Sequence, residues 1–216
     1  MDGDLLSFIL LSFSSLFIIV NPLGATLFFV SLTEEVSRED RATMAKEACI
    51  IAAAILLLFA IAGTYILLLF GITLEAFRIA GGILLFGIGM EMVYARPSRT
   101  KMTATEKYEG IDAESIAVMP LAIPIISGPG AIATTVVLTN EAFQYHVFSF
   151  AIVILSIILT IGITYLLLRN SEKISERIGQ REYRVINRLM GILLIAIAVQ
   201  FVITGISIIF PALTQG

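Results

Sequence analysis

Long apolar stretches alternate with short polar loops along this chain. A helix needs about 20 mostly apolar residues to cross a hydrocarbon core of about 30 Å. Six stretches have this length: residues 5–33, 45–70, 74–94, 116–138, 148–168 and 189–210. The pattern predicts an all-α membrane protein with six transmembrane helices in a single transmembrane domain over residues 1–216.

The first three stretches resemble the last three in order. Asn21-Pro22-Leu23-Gly24-Ala25 resembles Gly128-Pro129-Gly130-Ala131, and Gly82-Ile83-Leu84-Leu85 recurs as Gly191-Ile192-Leu193-Leu194. Single matches arise by chance in apolar sequence, so the prediction depends on their common order. Because three is odd, the second copy would enter the membrane from the opposite face. The sequence therefore predicts two inverted-topology repeats, residues 1–95 and 115–216, joined by a cytoplasmic linker over 96–114.

Helix-breaking residues lie inside the first and fourth stretches. Proline has no amide hydrogen and clashes with the preceding helical turn, and glycine is a poor helix former. As one straight helix the first stretch would be about 44 Å long. We therefore expect helices 1 and 4 to be broken at Asn21–Gly24 and Gly128–Gly130, each as two half-helices joined by an extended stretch.

Each break would create a half-helix N-terminus, near Gly24-Ala25 and near Gly130-Ala131. Free amide hydrogens there suit a carboxylate, and the unwound carbonyls suit an ammonium group or a sodium ion. A zwitterionic amino acid satisfies both needs, although hydroxyls in such helices often bond only to their own backbone. The substrate-binding candidates are Asn21, Pro22, Gly24, Ala25, Thr26, Ser127, Gly128, Pro129, Gly130 and Thr134.

Composition and charge support this interpretation and orient the chain. Hydrophobic residues make up 58% and charged residues 14%, with a mean hydropathy of +0.97. Six spans place successive loops on alternate sides of the membrane. The loops on one side then contain only Arg78 of the 14 basic residues. The other side has Arg38, Arg41, Lys46, Arg96, Arg99, Lys101, Lys107, Arg169, Lys173, Arg177, Arg181, Arg184 and Arg188. Basic loops stay in the cytoplasm, which predicts a cell-membrane protein with both termini outside.

Other chemistry is sparse. Glu91 is an intramembrane acid and a candidate for ion coupling, with Gln200 at the equivalent repeat position; the alternative for Glu91 is an interfacial pair with Arg96. One histidine, His146, and one cysteine, Cys49, provide no metal cluster, and no phosphate-binding glycine loop is present. We therefore expect no enzyme activity, cofactor, metal site or nucleic-acid partner.

Two stretches resemble the signature segments of the MarC family: Ile19-Val20-Asn21-Pro22-Leu23-Gly24-Ala25, and residues 120–132 from Pro120 to Ile132. Within that family the chain most resembles an archaeal transporter of small neutral amino acids. The resemblance implies secondary transport of glycine, alanine and serine-sized substrates, coupled to protons in preference to sodium. A passive channel or an exporter for small neutral solutes is the alternative, and a scaffold without transport is a third.

The predicted topology can be tested by labelling. In a Cys49→Ser background, Gly216→Cys should react with an impermeant thiol reagent added outside the cell, because both termini are expected there. Labelling of that cysteine only after the membrane is opened would overturn the orientation.

Overall fold

A computed structural model describes residues 2–33, 36–94, 117–145, 149–177 and 179–210. Its elements are α1 (Asp2–Val20), α2 (Pro22–Leu32), α3 (Arg38–Leu69), α4 (Leu74–Val93), a π-helical segment (Ala117–Ile126), α5 (Pro129–Tyr145), α6 (Ser149–Arg169), α7 (Ser171–Arg177) and α8 (Gln180–Ile209). In these parts of the chain all regular structure is helical, which confirms the all-α prediction. The predicted linker 96–114 lies outside the described residues, as do both chain termini.

Five helical stretches are long and apolar enough to cross a membrane: Leu5–Val30, Arg38–Leu69, Leu74–Val93, Ser149–Arg169 and Arg181–Ile209. They correspond to five of the six predicted spans. The remaining span, 116–138, is divided between the π-helical segment and α5. The helices confirm a multi-pass membrane protein, and the sixth crossing stays a prediction.

Large apolar side chains are exposed along the outer faces of the long helices. On α3, for example, Leu69 is 82% exposed and Tyr65 is 74% exposed. A water-soluble protein rarely leaves such side chains exposed in large contiguous patches. These side chains are suited to contact lipid.

The start of α3 extends beyond the predicted span. Ser37 caps the helix by accepting a hydrogen bond from the amide of Asp40 at 3.2 Å. Arg41, one turn later, pairs with Glu172 of α7 at 2.9 Å. The polar first turns of α3 are thereby joined to α7.

The helices form two packing units. The larger core contains buried side chains from α1, α2, α3, the π-helical segment, α5 and α6. The smaller core is formed by α4 and α8 together with Ile18 of α1 and Val137 of α5. After the turn at Gly71, which has φ of 66°, α4 makes few contacts with α3 and packs mainly on α8.

Glycines bring the α4 and α8 backbones close together. A Cβ atom added at Gly82 would lie 2.7 Å from the carbonyl oxygen of Ala198, and one added at Gly191 would lie 2.9 Å from that of Gly89. The paired positions show that the two helices are antiparallel. Small residues permit this close approach, which favours dispersion contacts where lipid supplies no hydrophobic driving force.

Substitution at Gly82 should therefore loosen the α4–α8 pair. Gly82→Val adds methyl groups against a fixed backbone oxygen, and overpacking costs about 1–3 kcal/mol. Each kcal/mol lowers Tm by about 2–4 °C in a chain of this size. Heat unfolding can be followed with a thiol-reactive fluorophore, because the single cysteine, Cys49, is buried.

The matched control is Gly87→Val on the same helix, where an added Cβ meets nothing within 4 Å. Both variants carry the same change in helix propensity. Equal losses of Tm would contradict the packing role assigned to Gly82.

Candidate functional site

The first interruption is a single residue. Asn21 separates α1 from α2 with φ 49° and ψ 66°, the left-handed conformation that asparagine tolerates better than most residues. Pro22 follows at the first helical position, where a missing amide hydrogen does no harm. The expected extended stretch is therefore wrong: the amide of Asn21 still donates to Phe17 in α1, and its carbonyl accepts from Ala25 in α2.

The second interruption is formed differently. The π-helical segment ends at Ile126, and both the amide and the hydroxyl of Ser127 donate to the Ala122 carbonyl, at 2.9 and 2.8 Å. Gly128 then accepts the first bond of α5 from Ile132. Bonds over five residues are typical of π-helical turns, which occur frequently at functional sites.

The structure brings the two interruptions together. A Cβ atom added at Gly130 would lie 2.9 Å from Cδ1 of Ile19 and 2.9 Å from Cδ2 of Leu85. The chain just before the first interruption thus contacts the chain just after the second, beside the middle of α4. Most of the predicted substrate-binding residues are buried here: Pro22, Gly24, Ala25, Thr26, Ser127, Gly130 and Thr134. Asn21 and Gly128 are half-buried, whereas Pro129 is exposed.

The two helix N-termini at this centre are not equivalent. The side-chain oxygen of Asn21 accepts the Gly24 amide at 3.2 Å, so α2 is capped by its own chain. No side chain among the described residues caps the amides of Gly130 and Ala131 at the start of α5. Of the two termini, that of α5 is the one whose amides have no side-chain cap, as an anion site requires.

The hydroxyls expected in the site also differ from one another. Thr26 donates to the Pro22 carbonyl at 2.7 Å and Ser127 donates to Ala122, so both satisfy their own backbone. Thr134 is fully buried, and its hydroxyl has no partner among the described residues. An unpaired buried hydroxyl costs about 1–3 kcal/mol. Thr134 is thus the hydroxyl most available to a ligand.

Asn187 is a site residue that sequence reasoning missed. The side-chain Nδ2 of Asn21 donates to Oδ1 of Asn187 at 3.2 Å, and Nδ2 of Asn187 donates to the Met92 carbonyl at 3.4 Å. These bonds link the first interruption to α8 and α4. The signal that could have identified Asn187 is the alignment of the two similar stretches: when Gly82 is aligned with Gly191, Asn187 aligns with Arg78.

The ion-coupling candidates take no part in these bonds. Gln200 is exposed and donates to Thr204 at 3.2 Å. Glu91 is half-buried next to Met92, and its expected partner Arg96 lies outside the described residues. Within the described ranges, no cluster of three His, Cys, Asp or Glu side chains could hold a metal ion.

A buried ion pair was also missed. Nη2 of Arg78 in α4 lies 3.0 Å from Oε1 of Glu141 in α5, with the two side chains 4% and 23% exposed. The sequence identified Arg78 only as the single basic residue on its side. Nothing in a linear pattern indicates that Glu141 would meet it.

Comparison with known proteins identifies the family. The model of MarC family integral membrane proteins matches residues 6–210. The chain belongs to the MarC family. A UPF0056 membrane protein of Methanocaldococcus jannaschii is 44% identical, with 93% of this chain and 97% of the relative covered.

UPF0056 membrane proteins of two further organisms are also similar to this chain. The UPF0056 membrane protein YvbG of Bacillus subtilis is 38% identical, covering 97% of this chain and 99% of its own. YhcE of Escherichia coli is 38% identical, with 93% of each chain covered. No solved structure has a significant match.

The link between Asn21 and Asn187 can be measured by a double-mutant cycle. Asn21→Gly keeps the left-handed backbone and removes the side chain, whereas Asn187→Ala removes its partner. Because each variant breaks the same bond, the two losses of stability should be non-additive by about 0.5–1.5 kcal/mol. Heat unfolding reported by Cys49 provides the measurement.

Asn21→Gly combined with Gln200→Ala serves as the control, because Gln200 bonds elsewhere and the two changes should add. Additive losses in the Asn21–Asn187 pair as well would disprove the link.

Proposed function

We propose that this MarC family protein is a secondary active transporter of small neutral amino acids that works by alternating access, with the substrate held where the two interruptions meet. The observation that carries the proposal is the contact of Gly130 with Ile19 and Leu85. Interrupted helices survive in a bilayer only where protein or a wet cavity satisfies their backbone. Two such interruptions in contact are typical of transporter binding sites.

The proposed architecture is six crossings in two inverted repeats. The contacts of Gly82 and Gly191 support it. An added Cβ at Gly82 would meet Ala198, Phe201 and Val202, and one at Gly191 would meet Gly89, Met92 and Val93. When Gly82 is aligned with Gly191, the residues that each glycine would meet align with those of the other. A two-fold axis between the repeats requires this correspondence.

The open N-terminus of α5 is the proposed carboxylate site. The amides of Gly130 and Ala131 carry the partial positive charge of the helix dipole, and the Thr134 hydroxyl follows one turn later. The substrate ammonium would be held by carbonyls at the ends of α1 and the π-helical segment. Ile19 and Leu85 pack so closely on Gly130 that a bulky substrate side chain would be excluded there, which favours glycine, alanine and serine.

The two packing units supply the motion that alternating access requires. The close backbone contacts of α4 with α8 favour movement of this pair as one body. It is joined to the remaining helices by polar links at the Asn21–Asn187 and Arg78–Glu141 contacts. Rocking of one unit against the other would expose the centre to each side in turn.

Substrate class and coupling come from the family resemblance stated above, and most closely from SnatA, the archaeal small neutral amino acid transporter. We propose coupling to protons in preference to sodium, insertion in the cell membrane, and cytoplasmic placement of the basic loops. A passive pore would show neither counterflow nor dependence on an ion gradient.

Reconstitution tests the proposal directly. Purified protein in liposomes should exchange labelled alanine or glycine with counterflow, and net accumulation should collapse when the proton gradient is dissipated. Gly24→Val and Gly130→Val should reduce exchange to the level of empty liposomes, because an added side chain would displace Asn21 at one interruption and Ile19 at the other.

Gly162→Val on α6 is the matched control, since an added Cβ there meets nothing within 4 Å. It should keep wild-type exchange. Absence of exchange in the wild type would refute transport of these substrates, and full activity in both interruption variants would refute the site.

A further inference from the structure

We propose that the Arg78–Glu141 pair is an outer gate that recognises a zwitterion: an amino acid opens it by supplying a carboxylate to Arg78 and an ammonium group to Glu141. The inference rests on the proposed transport function and adds a second recognition site, separate from the helix interruptions.

The pair has the burial expected of a functional site. The Arg78 side chain is only 4% exposed, and its Nε atom has no partner among the described residues. Ionisable residues within membrane segments are costly and mark substrate or ion pathways. The guanidinium remains charged throughout, because arginine does not lose its proton in proteins.

The pair also joins the two packing units. Arg78 belongs to α4 and Glu141 to α5, at the end of the bundle where α4 begins. Separation of α4 from α5 on that side must break the 3.0 Å contact. At the repeat-equivalent position, Asn187 makes the corresponding link near the other end of α4.

A zwitterion is the ligand that can replace this contact. Breaking a buried ion pair leaves two uncompensated charges, and that loss opposes opening. A carboxylate on Arg78 and an ammonium group on Glu141 restore both charge-assisted bonds. A solute with one charge restores only one of them, and a neutral solute restores none.

The face of α5 that carries Glu141 leads to the interruptions. Residues 130, 134, 137 and 141 share one helical face, and Gly130 and Glu141 both contact α4 along it. The unpaired Thr134 hydroxyl lies about 10 Å along the axis from Glu141 and about 6 Å from Gly130. It provides an intermediate polar contact between the gate and the proposed carboxylate site.

Charge-selective inhibition distinguishes a recognition gate from a structural ion pair. Alanine exchange is measured in liposomes with propionate and alaninamide as competitors, each of which carries one charge of the zwitterion. Glu141→Gln leaves Arg78 without its carboxylate partner, so propionate can bind there. Propionate should then inhibit about tenfold more strongly, because one charge-assisted bond changes affinity by about this factor. Arg78→Gln should have the reverse effect and favour alaninamide. Both variants should raise the KM for alanine.

Glu172→Gln is the matched control, because it breaks the Arg41–Glu172 pair near the opposite end of the bundle. It should leave the competitor pattern and the KM unchanged. If the glutamine variants fail to fold, Arg78→Lys and Glu141→Asp keep both charges while changing their reach. They should raise the KM for alanine about threefold or more and still exclude both competitors.

The gate alone would be overturned if every folded gate variant exchanged alanine with the same KM and the same competitor selectivity as the wild type. Failure of the wild type to exchange alanine would refute the proposed transport function first. The two failures are therefore distinguishable.

Discussion

The hydrocarbon core of a bilayer cannot hydrogen-bond to a peptide group, and the arrangement of this protein follows from that constraint. A helix interrupted within the bilayer must find partners inside the protein. Asn21 supplies them at the first interruption: its backbone continues the hydrogen bonds of α1 into α2, and its side chain caps α2 and reaches Asn187. At the second interruption, Ser127 supplies both its amide and its hydroxyl to one carbonyl. Burial of these residues draws the surrounding helices around them.

The sequence was informative where a local rule decides the outcome. Apolar length located five of the six predicted spans. Prolines at 22 and 129 indicated where the chain would be interrupted. It was less informative about the form of the interruption, because the left-handed backbone of Asn21 requires only one residue where an extended stretch was expected.

Contacts between distant parts of the chain could not be predicted from the pattern. In the sequence Glu141 resembles a loop residue, and only the folded chain shows its contact with Arg78 of α4. Asn187 lies in a charged segment, and none of its sequence neighbours indicates its bond to Asn21. The use of each hydroxyl was equally hidden. Thr26 and Thr134 have the same side chain in similar apolar surroundings, yet only Thr26 bonds to its own helix. The side-chain rotamer and the neighbouring residues decide which partner each hydroxyl bonds to. A few residues of local sequence determine neither of them.

The exchange of contacts between Gly82 and Gly191 has a consequence beyond packing. Under the proposed repeat, the α4–α8 contact is self-complementary, like the isologous interface of a two-fold homodimer. In a true homodimer a single mutation alters both halves of such an interface at once. Here each half is encoded separately, so the two sides can diverge one substitution at a time. Arg78 and Asn187, which align in the proposed repeat, differ in this way: one is a charge and the other an amide.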